Sequence, residues 1–199
     1  MKNEKAKIFD SILNTIENED IRYFAEQCIE TIPDYFWEVG ASSTGKYHPQ
    51  YALGELGLAR HTCALVRFLN HILNVDCFGD KFTSREKDLM RVAGMMHDTR
   101  KSGDDEDYKK NKYTKFDHPL LISKLIMENK DKLSMEVDDI RKVCTMIESH
   151  MGEWTYDNYQ KKEVLPKPRT AEQRFVHMCD FLASRKYLDI KFEDNNIVE

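Results

Sequence analysis

Apolar residues recur every three or four positions through most of the chain, which is the spacing of a helix with one buried face. Turn-forming residues interrupt this pattern, and proline or glycine ends several of the apolar stretches. No stretch alternates apolar and polar residues convincingly enough to predict a strand. The pattern therefore predicts an all-α protein without internal repeats or low-complexity segments.

The helical spacing predicts seven longer helices separated by polar connectors. Their approximate ranges are 4–17, 20–32, 54–74, 84–98, 118–129, 137–151 and 171–187. Capping boxes formed by Thr83 with Glu86 and by Thr170 with Gln173 indicate where two of them begin. Asp117 is predicted to cap another, and a short helix is expected in "DYFWEVG". The stretch over 99–116 is too highly charged for the core, so we expect a surface loop there.

Length, charge and cysteine content narrow the class of protein. A chain of 199 residues with 41% hydrophobic residues can bury one core. The net charge of −5, with both signs mixed, argues against duplex DNA or an anionic membrane as a partner. Five cysteines without a CxxC pair argue against a disulfide framework or a thiolate zinc site. With no long apolar run or signal core, we expect a cytoplasmic protein with no membrane partner.

Ionisable residues fall on the apolar faces of five predicted helices. His61, for example, shares its stripe with Leu58 and Leu65. The residues on these faces are His61, His97, His118, His150 and Asp180, and Asp98 directly follows His97. One buried histidine alone is ordinarily satisfied by a backbone carbonyl, but burying several such groups is costly unless they are paired or bind metal. Four imidazoles and two carboxylates suit first-row divalent metals, and two ions sharing a carboxylate would use all six.

The order of these residues resembles that of the HD superfamily of metal-dependent phosphohydrolases, in its six-ligand, two-metal branch. The segments that carry the resemblance are "LARHTCALVRFL", "AGMMHDTRK", "FDHPLL", "IESHMGEW" and "CDFLASRK". The resemblance covers about Gly54 to Asp189 and implies a helical bundle with the metal site at its centre and extra N-terminal helices. Residues 51–199 would then form the HD domain, with residues 1–50 packed on it as helices and a loop.

The resemblance also implies a role for each ligand. One divalent ion would be held by His61, His97, Asp98 and Asp180. The second ion would be held by His118 and His150, with Asp98 bridging. The implied reaction is hydrolysis of a phosphoester or phosphodiester bond in a nucleotide, dinucleotide or short oligonucleotide, by a hydroxide held between the ions. Manganese or iron is favoured for this donor set, and magnesium, nickel, cobalt and zinc are admissible.

Further residues are candidates for catalysis or for binding a small phosphorylated, nucleotide-like substrate. Lys101 is a catalytic candidate, because a lysine often follows the HD pair by three positions and contacts phosphate or a carboxylate. The substrate-binding candidates are Ser43, Lys46, His48, Arg100 and Trp154. A polar loop, a solvated arginine and a core tryptophan are the ordinary alternatives for these positions. His71 and His177 lie on polar or mixed faces, so we expect neither to be a ligand.

Two other functions stay open at this point. The same ligands can hold a di-iron centre in HD-fold oxygenases, since iron accepts imidazole and carboxylate alike. A catalytically silent nucleotide-binding protein is the third alternative, although none of the six ligands is missing. The aromatic residues of the N-terminal helices could cap the bundle or form a homodimer face, and the sequence does not choose between these.

Overall fold

Most of the chain is helical in the computed structural model, which describes residues 4–42, 45–46, 48–188, 191–193 and 196–198. The α-helices of this described part are α1 (Asp10–Leu13), α2 (Glu19–Ile29), α3 (Gly57–Leu73), α4 (Asp76–Gly79), α5 (Ser84–Met96), α6 (Asp105–Lys110), α7 (His118–Glu128), α8 (Val137–Glu148) and α9 (Ala171–Ala183). Short 3₁₀ helices cover Glu4–Phe9, Asp34–Trp37, Gln50–Ala52, Lys130–Lys132 and Lys186–Leu188. The all-α prediction is confirmed.

Two short antiparallel hairpins, which the sequence pattern did not reveal, accompany the helices in the described part of the chain. Strand β1 (Tyr156–Asp157) pairs with β2 (Lys162–Glu163), and Tyr156 lies opposite Glu163. Strand β3 (Lys191–Glu193) pairs with β4 (Asn196–Val198). Strands of two or three residues are too short to show an alternating pattern in the sequence.

Some of the capping interactions predicted from the sequence are present at the helix ends, and others are not. Both predicted capping boxes are present, at Thr83 before α5 and at Thr170 before α9. The polar stretch over 99–116 contains α6, which begins at a further capping box between Asp104 and Asp107. Asp117 precedes α7, but its side chain makes no capping hydrogen bond. Asp117 thus occupies the predicted N-cap position, but the capping hydrogen bond expected of its side chain is not formed.

Helix α3 is the centre of the bundle and contacts α5 and α9, while α8 packs on α5 and α7. A close approach joins α3 to α5 at Gly94, where an added Cβ would lie 2.6 Å from Leu65 Cδ2. The apolar faces of these helices form one buried cluster, which also takes in residues of the N-terminal segment such as Phe9, Phe24 and Trp37. The bundle therefore places the inner ends of five ligand-bearing segments around one centre.

Polar contacts also join the N-terminal segment to the bundle. The buried carboxylate of Asp88 in α5 accepts hydrogen bonds from the backbone N–H groups of Glu17 and Asn18, at 3.2 and 2.9 Å. The hydroxyl of Tyr35 accepts from Ser102 N–H at 2.9 Å and donates to the Gly103 carbonyl at 3.1 Å. The two hydrogen bonds of Tyr35 attach the N-terminal segment to the turn that follows His97 and Asp98 in the chain.

Candidate metal centre

Each of the six predicted ligands comes from the inner face or the inner end of a helix. His61 lies in α3, His97 is the C-cap of α5, His118 begins α7, His150 follows the end of α8, and Asp180 lies in α9. Asp98 follows His97 in the turn after α5. The four histidines and Asp98 are at most 3% exposed. Helix packing thus brings all six donors, which are far apart in sequence, to one place.

Three of these side chains meet on one side of the centre. The Nε2 atom of His61 lies 3.0 Å from Asp180 Oδ1. The Nε2 atom of His97 lies 3.5 Å from the same oxygen and 3.5 Å from Asp98 Oδ2. His61, His97 and Asp180 therefore offer three donor atoms close enough together to share one cation.

The other oxygen of Asp98 faces the remaining two histidines. Asp98 Oδ1 lies 2.9 Å from His118 Nε2 and 3.7 Å from His150 Nε2. The two Nε2 atoms of His118 and His150 are 3.4 Å apart. One carboxylate thus presents one oxygen to each half of the cluster, which is the arrangement expected of a shared ligand.

The spacing and the unmet polar atoms of the cluster fit divalent metal. Metal–nitrogen and metal–oxygen bonds of about 2.1 Å place neighbouring ligand atoms roughly 3.0 Å apart in octahedral and 3.4 Å apart in tetrahedral geometry. The observed separations of 2.9 to 3.7 Å bracket these values. His97 Nε2 and Asp98 Oδ1 are buried without a hydrogen-bond partner among the described residues. A bound cation would satisfy both atoms, whose burial is otherwise costly.

Local hydrogen bonds fix the orientation of three of the rings. The Nδ1–H of His97 donates to the Gly94 carbonyl at 2.8 Å. The Nδ1–H groups of His118 and His150 donate to the carbonyl oxygens three residues earlier, each at 2.7 Å. Donation from Nδ1 leaves the Nε2 lone pair free to bind a cation, which is how proteins orient histidine ligands.

The charges within the cluster are strongly coupled. Burial lowers the pKa of His97, but the Asp98 and Asp180 carboxylates outweigh this and raise it to about 10. Burial and the neighbouring His97 lower the pKa of His150 to about 3. Burial alone would raise the pKa of each aspartate, but Lys101 and His97 hold Asp98, and His61 and His97 hold Asp180, well below the usual range. Both carboxylates are therefore ionised, and a metal cation bound beside them would take the place of the proton on His97 Nε2.

The cluster opens into a cavity of about 450 Å³. Its lining includes the carboxylates of Asp98 and Asp180 and two cations, Lys101 and Arg185. The Lys101 ammonium pairs with Asp98 Oδ2, and its side chain is 17% exposed. A ligand entering the cavity would meet the metal-binding side chains and Lys101 together.

Of the predicted substrate-binding residues that the structure describes, some line the cavity and others do not. His48 and Trp154 line the cavity, and the His48 ring lies 5.4 Å from that of His61. Lys46 is exposed and is not among the described residues that line it. Ser43 lies outside the described residues. The Arg100 guanidinium donates to the Thr31 carbonyl at 2.8 Å, so it joins the turn to the end of α2 and does not line the cavity.

The sequence analysis missed His177, Phe181 and Arg185 as cavity residues. The Nδ1–H of His177 donates to the His150 carbonyl at 2.6 Å, so His177 supports the backbone of a predicted ligand. His177 and His71 belong to neither of the candidate ligand groups found among the described residues. One signal was available, because His177 precedes Asp180 by three positions and so lies on the same side of α9.

Among the described residues, no helix is long and apolar enough to cross a membrane.

A comparison with family models agrees with the arrangement of the candidate site. No curated protein and no solved structure matches the chain. One family model, that of the HD domain, matches residues 60–184 and spans all six clustered residues. Because the match covers more than half of the sequence, the chain belongs to the HD superfamily of metal-dependent phosphohydrolases.

Proposed function

We propose that the protein hydrolyses a phosphoester or phosphodiester bond in a nucleotide, dinucleotide or short oligonucleotide, using two divalent ions. The observation that carries the proposal is a cluster of six predicted metal ligands, four of which line one open cavity together with Lys101. One ion would be held by His61, His97 and Asp180, and the other by His118 and His150. Asp98 would contribute one oxygen to each ion. When bound, two such ions lower the pKa of water and neutralise charge on phosphoryl oxygens.

Lys101 is proposed to hold the scissile phosphate. Its ammonium carries three N–H donors, and the contact with Asp98 uses only part of this capacity. The side chain also lines the cavity, so a phosphoryl oxygen could reach it without breaking the pair with Asp98. In this position Lys101 would orient the phosphate and offset the charge that grows on its oxygens during attack.

His48 and Trp154 are proposed to bound the rest of the substrate. Trp154 is 51% exposed beside the cavity, so one face of its indole is accessible to a planar nucleobase. Burial, with smaller contributions from His61 and Lys101, lowers the pKa of His48 to about 4, so its ring is neutral near pH 7. Its buried Nδ1, which has no partner among the described residues, could bond a substrate hydroxyl.

Metal analysis combined with an activity panel tests the proposal. Metal content is measured by mass spectrometry on protein purified without chelator, and phosphate release is measured on mononucleotides, dinucleotides and short oligonucleotides with each metal added back. We expect about two ions per chain and metal-dependent phosphate release. His71→Ala, a change at an exposed histidine outside the centre, is the matched control and should retain both properties.

Two other outcomes would replace the proposal. Two irons per chain with oxygen uptake and no phosphate release would identify an oxygenase. Nucleotide binding without turnover, whichever metal is supplied, would identify a catalytically silent binding protein.

A further inference from the structure

Arg185 lies flat against an aromatic wall of the cavity. Its guanidinium carbon is 3.9 Å from the centroid of the Phe181 ring and 5.9 Å from that of Trp154. The two rings are nearly parallel, with an interplanar angle of 9° and centroids 6.1 Å apart. Stacking covers the face of a guanidinium and leaves its N–H groups, which lie in its plane, available to an acceptor.

No acceptor for this side chain is present in the described part of the chain. The Nε of Arg185 is buried without a hydrogen-bond partner, and no described carboxylate forms an ion pair with the guanidinium. Leaving a buried charged donor unsatisfied is costly, more so than for a neutral one. The side chain is therefore available to an acceptor that comes from outside the described part of the chain.

The place of Arg185 in the cavity indicates what that acceptor is. Arg185 follows Asp180 by five positions and lines the same cavity as Asp98 and Lys101. In the proposed function, the metal centre and Lys101 already meet the charge of the scissile phosphate. A neutral base edge would satisfy the N–H groups but not the charge of the guanidinium. A second phosphate satisfies both, because its oxygens match the planar fork.

We propose that Arg185 binds a second, non-scissile phosphate of the substrate and so makes the enzyme prefer substrates that carry two phosphate groups. This inference rests on the proposed function. It narrows the substrate class to nucleoside bisphosphates and the phosphorylated ends of dinucleotides or short oligonucleotides. Nucleoside monophosphates are then poorer ligands. Arg185 is a specificity-determining residue that contacts a part of the substrate where no bond breaks.

A fluorescence measurement on the metal-loaded full chain tests this preference. Of the two tryptophans, Trp37 is 1% exposed and Trp154 is 51% exposed, so a ligand in the cavity quenches Trp154 selectively. Adenosine 3′,5′-bisphosphate and adenosine 5′-monophosphate are the two probes, mixed by stopped flow and read before turnover. Phosphate release is recorded separately for each protein. For each variant, the affinity for the bisphosphate is divided by the affinity for the monophosphate. Chelation of the metal by the probes affects this ratio equally in every variant, so it cancels when variants are compared.

Three variants complete the test. Arg185→Gln removes the charge, Arg185→Lys keeps the charge without the planar fork, and Arg141→Gln alters an exposed arginine of α8 outside the cavity. We expect the wild type to bind the bisphosphate at least about tenfold more tightly than the monophosphate. Arg185→Gln should abolish this preference, Arg185→Lys should recover part of it, and Arg141→Gln should leave it unchanged.

The outcomes separate this inference from the proposed function. If Arg185→Gln weakens both probes equally, or neither, while wild-type turnover persists, the assignment to Arg185 is overturned and the hydrolase remains. If no phosphate is released but the preference is present and lost only in the Arg185 variants, the hydrolase proposal fails. The second-phosphate site then stands as a binding site.

Discussion

The two oxygens of Asp98 make different contacts, and this division carries much of the site's chemistry. One oxygen faces His97 and Lys101, and the other faces His118 and His150. Among the described residues His97 also belongs to both candidate ligand groups, but it offers one nitrogen to them, whereas Asp98 offers two oxygens. A change at Asp98 should therefore affect both halves of the centre, whereas a change at Lys101 should affect only the substrate's phosphate.

Asp98→Asn is expected to lose bound metal and to lower phosphate release at least about 100-fold, because an amide cannot supply two anionic oxygens. Metal content by mass spectrometry and initial rates measure the two effects. Asp138→Asn, at an exposed carboxylate of α8, is the matched control and should behave as the wild type. Full metal content and activity in Asp98→Asn would exclude the bridging role.

Lys101→Met is expected to retain its metal while kcat/KM for phosphoester hydrolysis falls about 100-fold, since a hydrogen bond to a developing charge is lost. Metal content and kcat/KM are measured on the same preparation, so that a loss of activity can be separated from a loss of metal. Unchanged turnover would leave Lys101 with only its pairing to Asp98.

At the scale of elements, the turn after α8 positions one ligand against another helix. Gly152 has φ +65°, and an added Cβ would lie 2.1 Å from the His177 ring. His177 in turn donates to the carbonyl of His150. The absence of a side chain at Gly152 is therefore what allows α9 to pack closely enough to hold the backbone of the predicted ligand His150.

Gly152→Ala is expected to lower the free energy of unfolding by more than the ~1 kcal/mol of a strained turn, and to weaken metal binding by displacing His177. Gly54→Ala is a close control, because Gly54 has φ +67° and nothing lies within 4 Å of its added Cβ. Chemical denaturation and metal titration of both variants separate strain from collision. Equal losses in the two variants would show that the contact with His177 is unimportant.

The sequence predicts the helices that carry the predicted metal ligands better than it predicts the other elements and the cavity wall. Helical spacing identifies the buried face of each helix, so His61 and Asp180 could be placed inside before any fold was known. Helix α6 was missed because its stability comes from a capping box and from charges, without an apolar face. Arg185 was missed because its partners, Phe181 and Trp154, come from α9 and from the segment after α8. Their meeting depends on packing that no local pattern encodes.

At the scale of the whole molecule, the N-terminal segment, which lies outside the family match, is joined to the bundle by a buried polar network. Asp88 is 1% exposed and pairs at 2.6 Å with Arg91, which is 5% exposed and also bonds Asn70. The same carboxylate receives two backbone N–H groups from the chain before α2. Removal of the Asp88 carboxylate would leave the buried Arg91 without its counter-ion and would remove one of the contacts that hold the segment.

Asp88→Ala is expected to reduce the free energy of unfolding by about 3–5 kcal/mol, as for other broken buried ion pairs. Asp138→Ala removes an exposed pair with Arg141 and should cost less than about 1 kcal/mol. Urea denaturation of both proteins measures the contrast. A small loss in Asp88→Ala would mean that water replaces the carboxylate and that the network adds little.

Metal removal should lower the thermal stability of the whole molecule, because the ligands come from five separate segments that only the folded chain brings together. At a free metal concentration 100 times Kd, binding contributes about 2.7 kcal/mol per site. We therefore expect chelator to lower Tm and added metal to restore it, by differential scanning fluorimetry. The Asp98→Asn variant should show little response. A Tm independent of metal would argue against tight binding at this centre.

The ring anchors of His97, His118 and His150 have an evolutionary consequence. Each ring is oriented by a carbonyl three residues earlier in its own chain segment, so the orientation of the ring itself does not depend on a distant side chain. Substitutions in the cavity wall, at positions such as Trp154 and Arg185, can then accumulate without disturbing the metal centre. A lineage built on this scaffold can change its substrate by altering the wall while it inherits the same reaction.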